Sequence, residues 1–310
     1  MAKRVKTKRE KRLQQLMTLI IVAIVSCILN LVLMVGGSFT YFSMKDLKED
    51  FATMKEEYSE RTMLLESYIS QLTYEKSQLL EEEEPVREET NVNEVNYDTG
   101  KIAYLTFDDG PTDLTPKVLD VLAEYNVKAT FFIKGVMIKY HPDLLNRIVE
   151  EGHTLGNHTV THKYEEIYTS TEALKAEILE NNRRILEQTG VVVTAFRFPG
   201  GSSNSMFATY SDEPLENWLN LIDDLGMEYY DWNVSSLDAT GTLKTPDEIY
   251  NAVISGCGNS SQVTVLMHDV NTNTSTLEAL PRIIETLQEM GYSIQPITST
   301  SKPVQHRTVQ

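Results

Sequence analysis

The sequence predicts an α/β fold, a parallel (β/α) barrel of about seven strands in residues 101–297. Strand-like apolar runs alternate with helical segments along this part of the chain, which is the pattern of a parallel sheet with helical connections. Polar or charged residues follow several of these runs directly, and such barrels carry their chemistry at the carboxyl ends of their strands. About 200 residues is enough to form one substantial core.

Seven strands and six helices make up the predicted barrel. The strands are expected to begin near Lys101, Ala129, Thr154, Val192, Glu228, Val263 and Tyr292. The helices are expected at residues 116–125, 142–151, 171–188, 214–225, 246–255 and 275–290. Several of them start at a proline that follows a cap-type residue, which is a common signal for a helix N-terminus.

The first part of the chain predicts a membrane anchor. Residues 1–12 hold seven Lys or Arg and one Glu, and residues 13–43 hold no charged side chain. Residues 16–35 form an apolar stretch long enough to cross a bilayer as a helix. We therefore expect a single-pass protein of the cell membrane, with a cytoplasmic N-terminus and the remainder outside. A cleaved signal peptide is the alternative, but residues 35–38 resemble an A-x-A cleavage site poorly.

A helical spacer and a linker are predicted next. In residues 44–80, mainly apolar residues recur at alternating steps of four and three from Leu47 to Leu79, which is the heptad pattern of a coiled coil that could form a homodimer. A single amphipathic helix is the alternative. Residues 81–100 begin with four glutamates and predict a flexible acidic linker. Residues 298–310 are expected to form a tail.

The charge of the chain argues against a nucleic-acid partner. The net charge is −17, of which residues 1–12 contribute +6, residues 45–100 contribute −10 and the rest −13. The acidic second half also disfavours binding through attraction to anionic polymers. Cys27 lies in the apolar segment and Cys257 in the barrel, so the two cysteines do not form a structural pair.

Two short motifs indicate a metal site. In T-F-D-D-G, Asp108 and Asp109 end an apolar run that begins at Ile102, and in H-T-V-T-H, His158 and His162 are four residues apart. One carboxylate and two imidazoles leave a coordination position open, as in catalytic zinc sites, and the second carboxylate is then free to act as a base. Neighbouring aspartates before Gly-Pro are also common turn residues. The other motifs therefore decide between a catalytic site and a simple turn.

Two further motifs have the same arrangement. Arg197 follows the apolar run of residues 191–196, and His268 closely follows the run of residues 263–266. Alone, Arg197 would be read as a surface ion-pair partner and His268 as a strand-end histidine. Because strand ends converge on one face of a barrel, polar residues at four strand ends favour one shared site.

The motifs T-F-D-D-G-P, H-T-x-T-H, R-x-P-G, W-N-V-S-S-x-D and L-M-H occur in this order, and the chain resembles the polysaccharide deacetylase family. This family is also called the NodB-homology domain or carbohydrate esterase family four. The similar segment extends from about Lys101 to Pro296. The resemblance implies a distorted (β/α) barrel and metal-dependent removal of acetyl groups from N-acetylated sugars, which is hydrolysis of a linear amide C–N bond.

The resemblance also implies a role for each site residue. Asp108 would be the general base, and His268 the general acid that protonates the leaving amine. Arg197 would pair with Asp108 and keep it ionised, and Asp238 would hold the imidazolium of His268. The metal ligands would be Asp109, His158 and His162. The substrate contacts would be Pro199, Gly200, Trp232 and Leu266.

Two positions depart from the family pattern. Gly200 stands where the family usually has tyrosine, although the backbone N–H that would contact the oxyanion is retained. Ala239 stands where the family usually has a tryptophan that lines the substrate groove. Zinc suits the ligand set, and cobalt or nickel would also fit it.

The sequence therefore predicts an extracellular, membrane-anchored enzyme of a bacterial surface. The expected reaction is N-deacetylation of N-acetylglucosamine in peptidoglycan. Because Gly200 and Ala239 change the groove, an N-acetylhexosamine of a wall-attached polysaccharide is the second candidate. The third is a non-catalytic glycan-binding or scaffold protein, which the retained polar residues argue against. Acetate release from wall fractions, with and without attached polysaccharide, distinguishes the three.

Overall fold

The computed structural model of the chain describes residues 100–309. The expected basic segment, transmembrane anchor and helical spacer lie outside these described residues, as does all but the last residue of the expected linker. No helix within residues 100–309 combines the length and the apolar character that crossing a membrane requires.

Eight strands form one sheet in the described part of the chain. They are β1 (Lys101–Asp108), β2 (Thr130–Ile133), β3 (Thr154–Asn157), β4 (Ala195–Phe196), β5 (Glu228–Tyr229), β6 (Val234–Ser235), β7 (Gln262–His268) and β8 (Tyr292–Ile294). Their order is β5-β4-β3-β2-β1-β7-β6, and β8 pairs with β1 outside this path. Every pairing is parallel. No pairing joins β5 to β6 within residues 100–309, so the barrel is open there.

Strand β1 lies at the centre of the sheet. One of its edges pairs with β7 from Ile102 to Asp108. The other edge pairs with β8 at residues 101–103 and with β2 at residues 106–108. Residues 103–107 are all buried, as expected for a parallel strand that is covered on both faces.

Neighbouring residues of the strands belong to two different hydrophobic clusters. Tyr104 and Phe132 belong to a small cluster, whereas Leu105 and Phe131 belong to the large cluster that the helices cover. Because successive side chains of a strand point to opposite faces, the small cluster marks the inner face of the barrel. Asp108 alternates in step with Tyr104 and therefore lies on this inner face.

Nine helices accompany the sheet within residues 100–309. They are α1 (Thr115–Glu124), α2 (Gly135–Ile138), α3 (Pro142–Glu150), α4 (Tyr164–Ile167), α5 (Thr171–Thr189), α6 (Met206–Tyr210), α7 (Leu215–Asp224), α8 (Pro246–Cys257) and α9 (Thr274–Glu289). Helix α8 begins with a capping box, in which the Thr245 side chain and the Glu248 side chain each accept from the other residue's backbone N–H. Helix α5 is preceded by the N-cap residue Ser170, whose side chain accepts from the Ala173 N–H.

The predicted distorted (β/α) barrel is confirmed, with differences at short elements. The six expected helices are present, with ends within about two residues of those predicted. The strand expected near Val192 begins instead at Ala195, and Val192 is exposed. The eighth strand, β6, and the helices α2, α4 and α6 were not expected. They have two to five residues each, too few for a periodic pattern to show.

Candidate active site

The site lies at the carboxyl ends of four strands. Asp108 and His268 are the last residues of β1 and β7 and are register partners in the sheet. His158 follows β3 directly, and Arg197 follows β4 directly. The structure thus places the sequence motifs at one end of the barrel, where strand ends converge.

Asp109, His158 and His162 form a group that could hold a metal ion. Their candidate ligand atoms all lie within 4.8 Å of one another. Asp109 has φ +73, a left-handed conformation that aspartate tolerates better than most residues. Its Oδ1 atom is buried and has no hydrogen-bond partner in the described structure. A buried carboxylate oxygen without a partner is costly, and a bound cation would satisfy it, so this donor set fits a divalent metal.

A backbone carbonyl fixes the tautomer of His158. The Nδ1 atom lies 2.8 Å from the carbonyl oxygen of Arg197. Because a carbonyl only accepts, Nδ1 carries the proton and Nε2 keeps its lone pair. Hydrogen bonds of this kind orient histidine ligands in metal sites.

Burial keeps His162 in its neutral form. Burial of the imidazole, together with the nearby His158, lowers the pKa of His162 to about 4, although Asp109 opposes the shift. The His162 Nε2 atom lies 3.7 Å from Asp109 Oδ1. Burial by itself raises the pKa of Asp109, but the histidines and the Lys134 ammonium at 4.0 Å outweigh it, so this pKa lies below its usual value. Both residues are thus in the forms that bind metal.

The Arg197 side chain is fully buried and provides the counter-charge of Asp108. Its Nη1 atom donates to Asp108 Oδ1 at 2.8 Å and to Thr106 Oγ1 at 2.7 Å. Its Nε and Nη2 atoms donate to the carbonyls of Tyr230 and Asp231 at 2.7 and 3.0 Å. Removal of either partner would leave an unpaired buried charge, which is strongly destabilising. Arg197 is therefore a buried part of the site and not a surface ion-pair partner.

His268 and Asp238 form a second charged pair. His268 Nδ1 lies 2.8 Å from Asp238 Oδ1, and the other oxygen, Oδ2, accepts from the His268 N–H and from Thr276 Oγ1, both at 2.9 Å. Burial alone would lower the pKa of His268, but the hydrogen bond and the charge of Asp238 raise it to about 9. Burial raises the pKa of Asp238, but the contacts with His268 bring it below its usual value. At neutral pH His268 is therefore an imidazolium.

Comparisons with known proteins decide the family. The family model described as polysaccharide deacetylase matches residues 96–214. A peptidoglycan-N-acetylglucosamine deacetylase of Bacillus cereus is 32% identical over 199 residues, which cover 63% of this chain and 68% of that protein. The chain belongs to the polysaccharide deacetylase family. The resemblance in the motifs and the prediction of a hydrolase of amide bonds are thereby confirmed.

Two further comparisons agree with this family. A chitooligosaccharide deacetylase of Rhizobium leguminosarum is 32% identical over 207 residues, covering 63% of this chain and 89% of that protein. The catalytic domain of a peptidoglycan N-acetylglucosamine deacetylase from Eubacterium rectale has 38% identity and a TM-score of 0.64. The aligned part covers 68% of this chain and 94% of the Eubacterium rectale chain. Peptidoglycan N-acetylglucosamine and chitooligosaccharides are thus the substrates in the names of these relatives.

The four predicted substrate contacts differ in exposure in this family member. Gly200 is exposed and has φ +78, and its N–H donates no hydrogen bond within the described residues. Trp232 is half-buried, and the Arg197 guanidinium lies 5.8 Å from its ring. Pro199 and Leu266 are buried. Their contacts with substrate stay a prediction, and Gly200 offers the most accessible group.

The carboxyl group of Asp269 is buried next to the site, which no local pattern in the sequence indicates. This residue follows His268 and accepts a hydrogen bond from the Thr115 hydroxyl through Oδ2. Burial raises the pKa of Asp269 to about 7. A Cβ atom on Gly110 would lie 2.3 Å from Asp269 Oδ2, so only glycine fits there. Asp269 therefore packs against the turn that follows Asp109.

Part of the C-terminal segment, residues 304–307 of the expected tail, lies beside residues that follow β4 and β5. The Val304 carbonyl accepts from the Asp231 N–H at 2.7 Å, and the His306 N–H donates to Asp231 Oδ2 at 2.8 Å. The His306 ring lies edge-on to Trp232, with 4.9 Å between centroids. Asp231 and Trp232 follow β5, and the carbonyl of Asp231 accepts a hydrogen bond from Arg197. The segment therefore adjoins the loop that contacts Arg197. Local sequence could not show this, since His306 and Trp232 are 74 positions apart.

Proposed function

We propose that the chain is a metal-dependent N-deacetylase that acts on N-acetylglucosamine residues of bacterial peptidoglycan. The observation that carries this proposal is that a three-ligand set and two charged pairs, Asp108 with Arg197 and His268 with Asp238, occur together at one end of the barrel. The names of the Bacillus cereus and Eubacterium rectale relatives support peptidoglycan as the substrate.

Asp109, His158 and His162 would hold the metal, with zinc as the proposed ion and cobalt or nickel as alternatives. A bound divalent metal polarises the amide carbonyl and acidifies water. The carboxylate of Asp109 and the neutral imidazole of His162 are ready for binding without loss of a proton.

Asp108 would act as the general base through Oδ2. Its Oδ1 atom accepts from Arg197, whereas Oδ2 lies 3.6 Å from His158 Nε2, on the side of the metal ligands. Oδ2 is thus the oxygen placed to take a proton from the attacking water. The fixed position of the carboxylate is what general base catalysis requires.

His268 would protonate the leaving amine. Its Nδ1 atom is bound to Asp238, so Nε2 is the nitrogen that can donate to substrate. An imidazolium is needed because the amine is too basic to leave as an anion. The unpaired N–H of Gly200 is proposed to stabilise the oxyanion.

Acetate release from purified polymers tests the proposal. We expect release from peptidoglycan freed of attached polymers, and release slower by ~10²–10⁴-fold from the Asp108→Asn variant used as a matched control. Release from the attached polysaccharide alone would favour the N-acetylhexosamine of that polymer, an alternative that rests on the small, exposed Ala239 beside Asp238. No release from any fraction would favour a glycan-binding or scaffold role.

We also propose a single-pass membrane location with the catalytic domain outside the cell. The support is the apolar stretch of residues 16–35 behind a basic N-terminal segment. A homodimer through residues 44–80 is proposed from their heptad pattern. Sedimentation of residues 44–310 against residues 97–310 tests the dimer, and equal monomer masses at micromolar concentration would contradict it.

A further inference from the structure

The loop between the two histidine ligands has a strained backbone. Thr159 has φ +63 and His162 has φ +59, both in the left-handed region. A β-branched residue such as threonine is rarely found there, because its side chain is crowded by the backbone in this conformation. Conformations of this kind persist only where surrounding groups hold them.

Asn181 of α5 holds the carbonyl of Thr159. Asn181 is fully buried, and its Nδ2 donates to the Thr159 carbonyl at 2.9 Å and to the Ile133 carbonyl at 2.8 Å. The N–H of Thr159 donates to Asn157 Oδ1 at 2.8 Å. A Cβ atom on Gly135 would lie 2.6 Å from Asn181 Oδ1, so Asn181 packs directly on the glycine backbone.

Glu177, one turn earlier on α5, holds the next two residues of the loop. Its Oε2 atom accepts from the N–H groups of Val160 and Thr161 at 2.9 and 2.8 Å, and from Thr161 Oγ1 at 3.2 Å. Residues four apart lie on the same face of a helix. One face of α5 therefore hydrogen-bonds to all three residues between His158 and His162.

We propose that Glu177 and Asn181 are positioning residues that hold this loop in the conformation that binds the metal. This inference rests on the proposed metal site. Helix α5 supplies no ligand of that site, yet it sets the separation of the His158 and His162 rings, whose centroids are 4.9 Å apart. Binding then requires little rearrangement of the loop. Outer groups that orient metal ligands typically change metal affinity by about 10- to 100-fold.

The test is zinc affinity of the full-length chain, measured by competition with a chromophoric chelator. Glu177→Ala and Asn181→Ala are expected to weaken zinc binding about 10- to 100-fold. Glu177→Gln, which keeps an acceptor oxygen, is expected to recover most of the affinity. The matched control is Glu180→Ala, because within residues 100–309 the Glu180 carboxylate hydrogen-bonds only to Arg183 and Arg184 of the same helix.

Two outcomes separate this inference from the proposed function. If the unmodified chain binds zinc and both alanine variants bind it equally well, the positioning role is wrong and the metal site stands. If the unmodified chain binds no zinc, cobalt or nickel, both proposals are wrong. Should Asn181→Ala fail to fold, Glu177→Ala decides, since Glu177 is only half-buried.

A second substitution tests whether Asn181 acts by holding the backbone of Thr159. Thr159→Gly removes the steric cost of a left-handed backbone. In the Asn181→Ala background it is expected to restore part of the zinc affinity, if Asn181 acts by holding Thr159. Unchanged affinity in this double variant, with the metal-free melting temperature equal to that of Asn181→Ala, would contradict that role.

Discussion

The pKa values of two histidines on the two sides of the active site are shifted in opposite directions. The side chains of His162 and His268 are 21% and 13% exposed, and burial lowers the pKa of both. The pKa of His162 falls to about 4, whereas that of His268 rises to about 9. The carboxylate contacts differ, since Asp238 is hydrogen-bonded to His268 at 2.8 Å and Asp109 lies 3.7 Å from His162. A directly bonded carboxylate thus outweighs burial, and a more distant one does not.

This contrast divides the chemistry of the site. A neutral imidazole can donate its lone pair to a metal, and an imidazolium can donate a proton. Two histidines in environments that push their pKa values apart are suited to two different roles. The metal side comprises Asp109, His158 and His162, and the acid side comprises His268 and Asp238.

Metal removal tests the metal side and has the largest expected effect. Chelation is expected to abolish acetate release while the domain stays folded, because three ligands at strand ends do not hold the core. Activity and circular dichroism would be followed through chelation and add-back of zinc. Full turnover without metal, or unfolding on chelation, would contradict the assignment of Asp109, His158 and His162 to a catalytic metal site.

Substitution of each of the two neighbouring aspartates distinguishes the general base from the metal ligand. Asp108→Asn is expected to lower turnover by ~10²–10⁴-fold and to keep the metal, since general base catalysis has this magnitude. Asp109→Asn is expected to lose the metal. Metal content by mass spectrometry checks both variants, and the reverse result would exchange the roles of Asp108 and Asp109.

His268→Ala tests the acid side without disturbing the metal. Its metal content is expected to match that of the unmodified protein. The loss of turnover is expected to be smaller for a substrate with a less basic leaving amine, because such a group needs less help from an acid. Rates for two amide substrates of different leaving-group basicity measure this, and equal losses would argue against the acid role.

Asp238→Asn is expected to move the pH profile. With His268 as the acid, kcat/KM falls as pH rises through about 9, the pKa of His268. Without the Asp238 charge this pKa decreases, so the fall is expected at lower pH. Profiles of the two proteins from pH 6 to 10 measure the shift, and superimposable alkaline limbs would show that His268 does not set them.

The same pair predicts a smaller effect on stability. The pKa of His268 is higher in the folded protein, about 9, than its ordinary 6.5, so the protonated pair stabilises the fold. This contribution, about 3 kcal/mol, is fully present below pH ~6.5 and is lost as pH rises through ~9. Urea unfolding of the metal-free protein at pH 6 and 9.5 tests it. Asp238→Asn should show a smaller difference between these pH values.

The sequence could predict residues whose role is visible locally. Asp108 ends an apolar run, and His158 and His162 have a spacing that suggests ligands, so both motifs stood out. The roles of Asn181 and Glu177 were not visible in the sequence, because polar residues in a helical pattern are usually assigned to its solvent-exposed face. Their role depends on contacts with Thr159 and Val160, which are 22 and 17 positions away.

Short elements escaped prediction for a related reason. Strand β6 has two residues and pairs with β7 across a long separation in sequence. Its existence depends on the sheet and not on an alternating pattern of its own. The protonation of His268 was predicted only through the family resemblance, because its cause, Asp238, is 30 positions away.

The path of β1 and the C-terminal segment has a practical consequence for fusion proteins. Gly100 lies at the start of β1, at the opposite end of this strand from Asp108, and eight residues of strand extend for roughly 25 Å. Residues 304–306, in contrast, lie beside Asp231 and Trp232. A fluorescent protein or affinity tag joined before Gly100 would leave the groove accessible to a bulky polymer, whereas one joined after the C-terminal segment would emerge next to it.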